Sequence, residues 1–475
     1  MDDYPVPPGL PIGEAWRPVA ETSPVRFPYD GSTVTQAPVG DVDAARAALD
    51  AAAEVAPAVA ALPTRVRHDV LLGVHARLTA LAPEFERLLV LETGKPLNDC
   101  RTEVARTLLT LVTSAEEAAR IHGETVPLDG LPAGDGMVGF YLRVPIGVVV
   151  GIAGFNYPLL LATHKIGPAL AAGCPIIVKP APQTPLATLW LVHLLREVGE
   201  EHGVPAAAVQ LVTGGADVGA ALTTDPRVAA VSFTGSAPVG HRIARAVAPR
   251  KTLLELGNTT ALIVAEDADL PAAAAAVARG GFYASGQACI SVQRVLVVES
   301  VRDRFLALLA PRVEALVVGD PRLPGTDVAP LIDAGATARV AAWVDAAVAG
   351  GASLLTGDGT GPTVLSDVPD GVDAWDEEIF GPVVCVRSVP DVDTAIEVAN
   401  RSRYGLHASI WTRSLAHAFA ALHRLEVGGV VVNDLPGFRS DPMPYGGVKD
   451  SGIGREGPRY AIEELTVTRM AVIRP

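Results

Sequence analysis

From residue 137 onward, short unbroken apolar runs alternate with longer segments whose apolar residues recur at three- and four-residue spacing. The runs 138–144, 147–152, 175–178, 209–212, 229–233 and 261–265 read as strands, most of them too uniformly apolar to keep a solvent face. The segments 159–172, 185–202, 217–223 and 240–247 between them read as helices. Buried strands alternating with helices predict an α/β fold with a parallel sheet. Such sheets bind ligands outside the carboxyl ends of their strands. A second α/β series follows residue 289, with strands at 294–298, 383–387, 408–411 and 429–433, and the junction between the two falls near 256–258.

The first 120 residues have a different rhythm. Helices are predicted over 41–57, 65–81, 83–93 and 100–121, the first opened by Asp41 as N-cap and closed by Pro57, with little obvious chemistry along them. The tail 464–473 is apolar and strand-like. A free terminal strand invites edge pairing, so it is expected to pair with 138–144 or with another subunit.

Composition narrows the function classes. A chain of 475 residues suggests two or three domains. Its net charge of -15, without a block of like charges, argues against a nucleic-acid groove or a basic membrane face. The uncharged stretch 144–163 is long enough for a membrane helix, but Pro145, Asn156, Pro158 and three glycines break it into a buried strand, a loop and a helix start. The N-terminus lacks the basic start and apolar core of a signal peptide. Cys100, Cys174, Cys289 and Cys385 include no C-x-x-C pair, which fits reduced thiols in a cytoplasmic protein better than a disulfide or zinc framework.

Five short pieces carry candidate chemistry. Cys289 follows the small-residue turn Ala284-Ser-Gly286, where a ligand can approach the sulfur closely; it is either a nucleophile or a packed thiol. Phe233-Thr-Gly-Ser236 ends a strand and opens a helix, so Gly235 and the free N–H groups there offer an anion site or an ordinary turn. Lys179 ends another strand, in reach of ribose or phosphate oxygens or simply at the surface. Asn156, in Gly154-Phe-Asn-Tyr-Pro158, either donates to a developing oxyanion or makes turn hydrogen bonds. Glu255, in Leu253-Leu-Glu-Leu-Gly257, is a carboxyl in apolar surroundings, suited to a general base or to a structural ion pair.

Taken together and in this order, the pieces resemble the aldehyde dehydrogenase superfamily. The resemblance runs from about residue 44 to the end and includes Gly94-Lys-Pro96, Phe155-Asn-Tyr-Pro158, Lys179-Pro180, Phe233-Thr-Gly-Ser236, Glu255-Leu-Gly257, Gly286-Gln-Ala-Cys289, Glu377-Glu-Ile-Phe-Gly-Pro382 and Pro444-Tyr-Gly-Gly447. It implies a Rossmann-like cofactor domain (1–122 and 146–257), an α/β catalytic domain (258–457) and a small β oligomerisation flap (127–145 and 460–475). It further implies a homodimer or homotetramer oxidising a small aldehyde with NAD+ or NADP+, through a thiohemiacetal and a thioester on Cys289, without a metal. Asn156 and the Cys289 N–H would hold the oxyanion, and Glu255 would activate water. Gly235 and Ser236 would take the pyrophosphate, Lys179 the adenosine ribose, and Gly257, Glu378 and Phe380 the nicotinamide half. Phe155, Ala288, Ile290, Phe438 and Arg439 would line the substrate pocket.

Two departures from the family pattern matter. Asn258 replaces the second glycine of the glutamate motif, which predicts altered cofactor geometry or Glu255 placement. Pro182 stands where many NAD-using members have a glutamate, removing a charge that would repel a 2′-phosphate, so NADP+ is expected to be accepted. The subgroup most similar acts on lactaldehyde, phosphonoacetaldehyde or glyceraldehyde 3-phosphate. Ala288 removes an arginine expected there for anionic substrates, leaving Arg101, Arg106, His164 and Arg439 as substitutes or as ordinary salt-bridge partners, and leaving an aromatic aldehyde open. A coenzyme A-acylating enzyme and a non-catalytic protein of the same fold are the rival readings.

Overall fold

The computed structural model describes residues 4–475. Two hairpins come first, β1 (Leu10–Ile12) with β2 (Ala15–Arg17) and β3 (Glu21–Arg26) with β4 (Thr33–Val39). Neither was legible in the apolar pattern, because β2 and β3 are short and mostly exposed. The four helices follow as expected: α1 (Val42–Ala60), α2 (Thr64–Ala80), α3 (Ala82–Thr93) and α4 (Leu97–Ala118). Asp41 caps α1 by accepting the Ala44 N–H at 2.8 Å. The helix runs past Pro57, its expected end; a proline so near the terminus removes just one intrahelical bond.

The first sheet is built from β6 (Val148–Ile152), β7 (Ile176–Lys179), β8 (Val209–Leu211), β9 (Val228–Thr234) and β10 (Lys251–Glu255), all parallel, after β5 (Val138–Pro145), which lies outside this sheet. Helices α5 (Pro158–Ala172), α6 (Leu186–Glu201), α7 (Ala216–Thr224) and α8 (Ala237–Val247) make the crossovers. The spatial order is β10-β9-β6-β7-β8, so the chain reverses its direction of growth between β6 and β9. Residues leaving the carboxyl ends of those strands therefore face a crevice. Asn156 follows β6 there, and Gly235 follows β9.

The second sheet has seven strands in the order β13-β14-β15-β12-β11-β17-β18. These are β11 (Ala261–Val264), β12 (Arg294–Val298), β13 (Ser353–Thr356), β14 (Thr363–Ser366), β15 (Val383–Val389), β17 (His407–Trp411) and β18 (Gly429–Val432), with the two-residue strand β16 (Tyr404–Gly405) set apart. Around it pack α9 (Leu270–Gly280), α10 (Arg302–Glu314), α11 (Ala334–Ala349), α12 (Asp373–Asp376), α13 (Val392–Asn400) and α14 (Leu415–Arg424). Near the C-terminus, β19 (Val448–Lys449) pairs with β16, while β20 (Gly452–Ile453) returns to the first sheet beside β10. After α15 (Pro458–Glu464), β21 (Thr466–Ile473) pairs antiparallel with β5 over eight residues, so the tail finds its partner within the chain.

Each sheet has its own apolar core, and the two meet with the carboxyl ends of β6, β9 and β10 facing the segments that enter β12 and β15. In the first core, Phe85 of α3 stacks on Trp190 of α6, ring centroids 4.2 Å apart. Phe85→Ala is expected to cost about 3–5 kcal/mol, read as a lowered midpoint in urea unfolding followed by tryptophan fluorescence.

Candidate active site

The segment before Cys289 is conformationally unusual. Ala284, Ser285 and Gly286 take left-handed φ values of 48°, 56° and 73°. Such backbone penalises bulky side chains, which explains the small residues. At Gly286 no side chain fits at all: a Cβ would lie 2.0 Å from the Gly381 carbonyl oxygen. The turn is braced from outside, since the Ala284 N–H donates to Asp99 Oδ2 at 2.8 Å and the Ser285 hydroxyl to the Ala329 carbonyl at 2.7 Å. Cys289 follows, with Sγ 3.5 Å from the Tyr445 hydroxyl. Burial pushes the thiol up to about 12; the Tyr445 hydroxyl opposes this, and the Glu378 and Glu255 carboxyls add to it.

Asn156 reaches across from the first sheet. Its Nδ2 donates to the Gln287 carbonyl, two residues before the cysteine, at 2.8 Å. An amide carries two N–H donors, so a second remains for a ligand. Glu255 ends β10, buried, with Oε2 lacking any hydrogen-bond partner. Burial and then the neighbouring Glu456 push its carboxyl well above the usual range, against the pull of Arg439 and Lys165. Glu456 goes the other way: burial opposes its charge, but Lys165, His164 and Arg439 together hold it well below the usual range. Glu456 thus holds the charge of the pair, and Glu255 holds the proton.

Cys289, Asn156 and Glu255 line one cavity of about 910 Å³ with Gly235, Ser236, Gly257, Glu378 and Phe380. Ser236 is the N-cap of α8 but makes no capping bond with its hydroxyl. The Glu378 carboxyl packs over Gly257, where a Cβ would come within 2.7 Å of its oxygen, and accepts the Asn258 N–H at 3.0 Å. Burial raises that carboxyl to about 7, the Asn258 N–H pulling against it. Phe380, at φ 45°, meets Phe155 edge to face at 5.7 Å. A helix start with a free hydroxyl, beside a carboxyl and a ring over a glycine floor, fits a pyridine dinucleotide. Lys179 is not among the residues lining this cavity. It ends β7 beside α7, its ammonium destabilised by burial and partly relieved by Asp217.

The same cavity is lined by Phe155, Ala288, Ile290 and Phe438, and by the cationic or protonatable Arg106, His164 and Arg439. His164 lies 3.4 Å from both Asp441 and Glu456, and Arg439 donates to Glu456 at 3.2 Å with its guanidinium 3.8 Å over the Tyr445 ring. Arg106 Nη2 is 3.9 Å from Asp441 and has no hydrogen-bond partner. Arg101, by contrast, is half-exposed and pairs with Glu86 at 3.5 Å, an ordinary surface pair.

A model of the aldehyde dehydrogenase family matches residues 16–471. The chain belongs to this family. It is similar to the 3-sulfolactaldehyde dehydrogenase of Priestia aryabhattai, with 41% identity over 475 residues covering 98% of each chain. Among solved structures it resembles aldehyde dehydrogenase 21 of Physcomitrella patens in complex with the reaction product succinate, with a TM-score of 0.93 and 37% identity over 98% of each chain. It also resembles the glyceraldehyde-3-phosphate dehydrogenase GapN of Methanocaldococcus jannaschii complexed with NADP, with a TM-score of 0.92 and 33% identity, covering 96% of this chain and 100% of that one. The protein has the aldehyde dehydrogenase fold and is an NAD(P)-dependent oxidoreductase acting on aldehydes.

In this aldehyde dehydrogenase the side chain of Asn258, the departure in the glutamate motif, is not among those lining the cavity. Its Nδ2 donates to Thr260 Oγ1 at 2.6 Å and reaches the His407 carbonyl at 3.4 Å, away from the cavity lining, while its backbone N–H serves Glu378 as any residue's would. Sequence reasoning missed Tyr445, although the motif containing it was noticed, because an aromatic between a proline and a glycine carries no chemical signal of its own. It also missed Arg339 and Trp343, which enter the cavity from α11. Nothing in their helical spacing marks them. Because thiolate is the reactive form, the high thiol pKa has a measurable consequence: in the free enzyme, alkylation of Cys289 by iodoacetamide is expected to rise about tenfold per pH unit from pH 7 to 10. A plateau below pH 9 would contradict it.

Proposed function

We propose that Cys289 is the nucleophile, Asn156 an oxyanion donor and Glu255 the base for thioester hydrolysis. The supporting observation is their convergence, from two sheets, on one cavity shared with Gly257, Glu378 and Phe380. The Cys289 thiolate attacks the aldehyde carbon, and the free Asn156 N–H and the Cys289 backbone N–H receive the oxyanion of the thiohemiacetal. When bound, the oxidised nicotinamide supplies the hydride acceptor. Glu378 and Phe380 hold its ribose and ring, Gly235 and Ser236 the pyrophosphate, and Lys179, outside this cavity, the adenosine ribose. After oxidation Cys289 carries a thioester. Glu255, once deprotonated, takes a proton from water as that water attacks the carbonyl, and the Cys289 thiolate leaves as the carboxylic acid is released. Glu255 also favours hydrolysis over transfer to coenzyme A.

The substrate we propose is a small aldehyde carrying a fixed negative charge. Ala288 withdraws one cation from the pocket, but Arg106 and Arg439 bring others into it, beside the imidazole of His164. Sulfolactaldehyde and glyceraldehyde 3-phosphate in the relatives' names, and the succinate bound to another, are all anionic. The exposed Val138, Leu142, Met470 and Val472 on the β5–β21 ribbon support its use as an oligomerisation flap in a homodimer or homotetramer. Among the described residues no helix is long and apolar enough to cross a membrane. Four unpaired cysteines suit a cytoplasmic enzyme.

Cys289→Ala should abolish turnover while leaving cofactor binding intact, measured by reduced-cofactor absorbance and by fluorescence quenching; retained turnover would refute the assignment. In a panel of sulfonated, carboxylated, phosphorylated, neutral hydroxylated and aromatic aldehydes, Arg106→Ala should lower kcat/KM for the preferred anionic member by about 10–100-fold, as expected for a lost charge-assisted hydrogen bond, and by much less for neutral ones. Pro182 is exposed on the loop after β7 and offers no carboxylate to a ribose 2′-hydroxyl. KM for NADP+ is therefore expected at or below that for NAD+. Strict use of NAD+ would sink that expectation.

A further inference from the structure

Apart from Arg106, α4 has no part in the chemistry above, and the sequence reading found little there. Yet Asp99, Glu103, Arg106 and Thr110, spaced four, three and four apart, form one stripe of that helix. Asp99 accepts the Ala284 N–H in the left-handed turn ahead of Cys289, at 2.8 Å. One turn further on, the fully buried Glu103 accepts the N–H groups of Leu159 and Leu160, at 3.0 and 3.2 Å, in the first turn of α5 just after Asn156. Its second oxygen pairs with Lys95 of Gly94-Lys-Pro96, the motif that the mechanism leaves without a task. The Lys95 ammonium in turn lies 3.7 Å over the ring of Tyr157, next to Asn156. α4 is itself pinned at its start, where the Leu97 N–H donates to the Pro321 carbonyl at 2.9 Å and the Asn98 side chain to the Pro324 carbonyl at 3.0 Å.

One rigid helix therefore grips both loops that carry the reacting groups, the cysteine loop through Asp99 and the amide loop through Glu103. Helical rise fixes the separation of those two carboxyls, so it also fixes how the two loops stand relative to each other. We propose that Asp99 and Glu103 are positioning residues for the oxidation, holding the Cys289 loop and the Asn156 amide where both donors meet one oxyanion. This rests on the reading of Cys289 and Asn156 given above. In the Lys95–Glu103 pair, the buried ammonium supplies the counter-charge for Glu103.

The test is a set of double-mutant cycles on the first-turnover rate of reduced-cofactor formation at saturating aldehyde and cofactor. Asp99→Ala, and separately the charge-neutral pair Lys95→Met with Glu103→Met, which removes the acceptor for the Leu159 and Leu160 N–H groups, are each made in the native protein and in Asn156→Ala. In the native background each change should slow the first turnover by about 10–100-fold, the scale of a misplacement near 1 Å, with the cofactor Kd within about twofold. In Asn156→Ala, which has already lost the donor being positioned, the same changes should cost less than about threefold. Asp99→Asn, which keeps an acceptor for the Ala284 N–H, should lose less than Asp99→Ala. Equal fold losses in both backgrounds, or no loss in the native one, would overturn the proposal. Should the buried pair fail to fold when altered, the half-buried Asp99 cycle decides alone. Failure of the underlying reading looks different: Asn156→Ala by itself would retain full first-turnover rate.

Discussion

The hydrogen bond from the Asn156 amide to the Gln287 carbonyl, 2.8 Å long, joins a loop of the first sheet to the cysteine loop of the second. Two bodies with separate apolar cores meet at this point, and the residues lining the cavity come from both. Asn156 and Glu255 leave the carboxyl ends of β6 and β10, whereas Cys289 and Glu378 lie on segments entering the amino ends of β12 and β15. Neither sheet alone holds a complete site.

Around this junction the molecule accepts a concentration of buried charge. Arg106, Lys165 and Arg439, with His164 beside them, face Asp441, Glu456 and Glu255 in a small volume, and Arg106 Nη2 and Glu255 Oε2 lack hydrogen-bond partners. Buried charges that are imperfectly satisfied destabilise a fold. Their presence here is in keeping with a binding and proton-handling site, since those unsatisfied atoms are the ones a substrate anion or a water can engage. The split between Glu255 and Glu456 follows from the same crowding: cations gathered around Glu456 leave Glu255 as the carboxyl that keeps its proton.

Much of the fold was legible because burial writes itself into sequence. The central strands of both sheets are apolar on both faces, so β6, β7 and β9 of the first and β11 of the second fell close to the predicted runs, and helices α1 to α4 differed chiefly at their ends. The hairpins β1–β2 and β3–β4, the edge strand β13 and its short neighbour β14, apolar only at Val364 and Leu365, left no such mark, because exposed or very short strands carry neither an unbroken apolar run nor a clean alternation. The left-handed turn before Cys289 was foreshadowed by its small residues. What braces it, an aspartate 185 positions away, was not.

The sequence by itself determined the family and the alternation that builds the two sheets, and it singled out Cys289, Asn156 and Glu255 as candidates, because each sits in a local motif whose chemistry is readable in a few residues. Only the tertiary structure decided which charged residues reach the cavity, that Asn258 turns away from it, and that α4 holds both loops. Pairings across long sequence separations depend on how helices and sheets are packed, and local pattern contains no term for that packing.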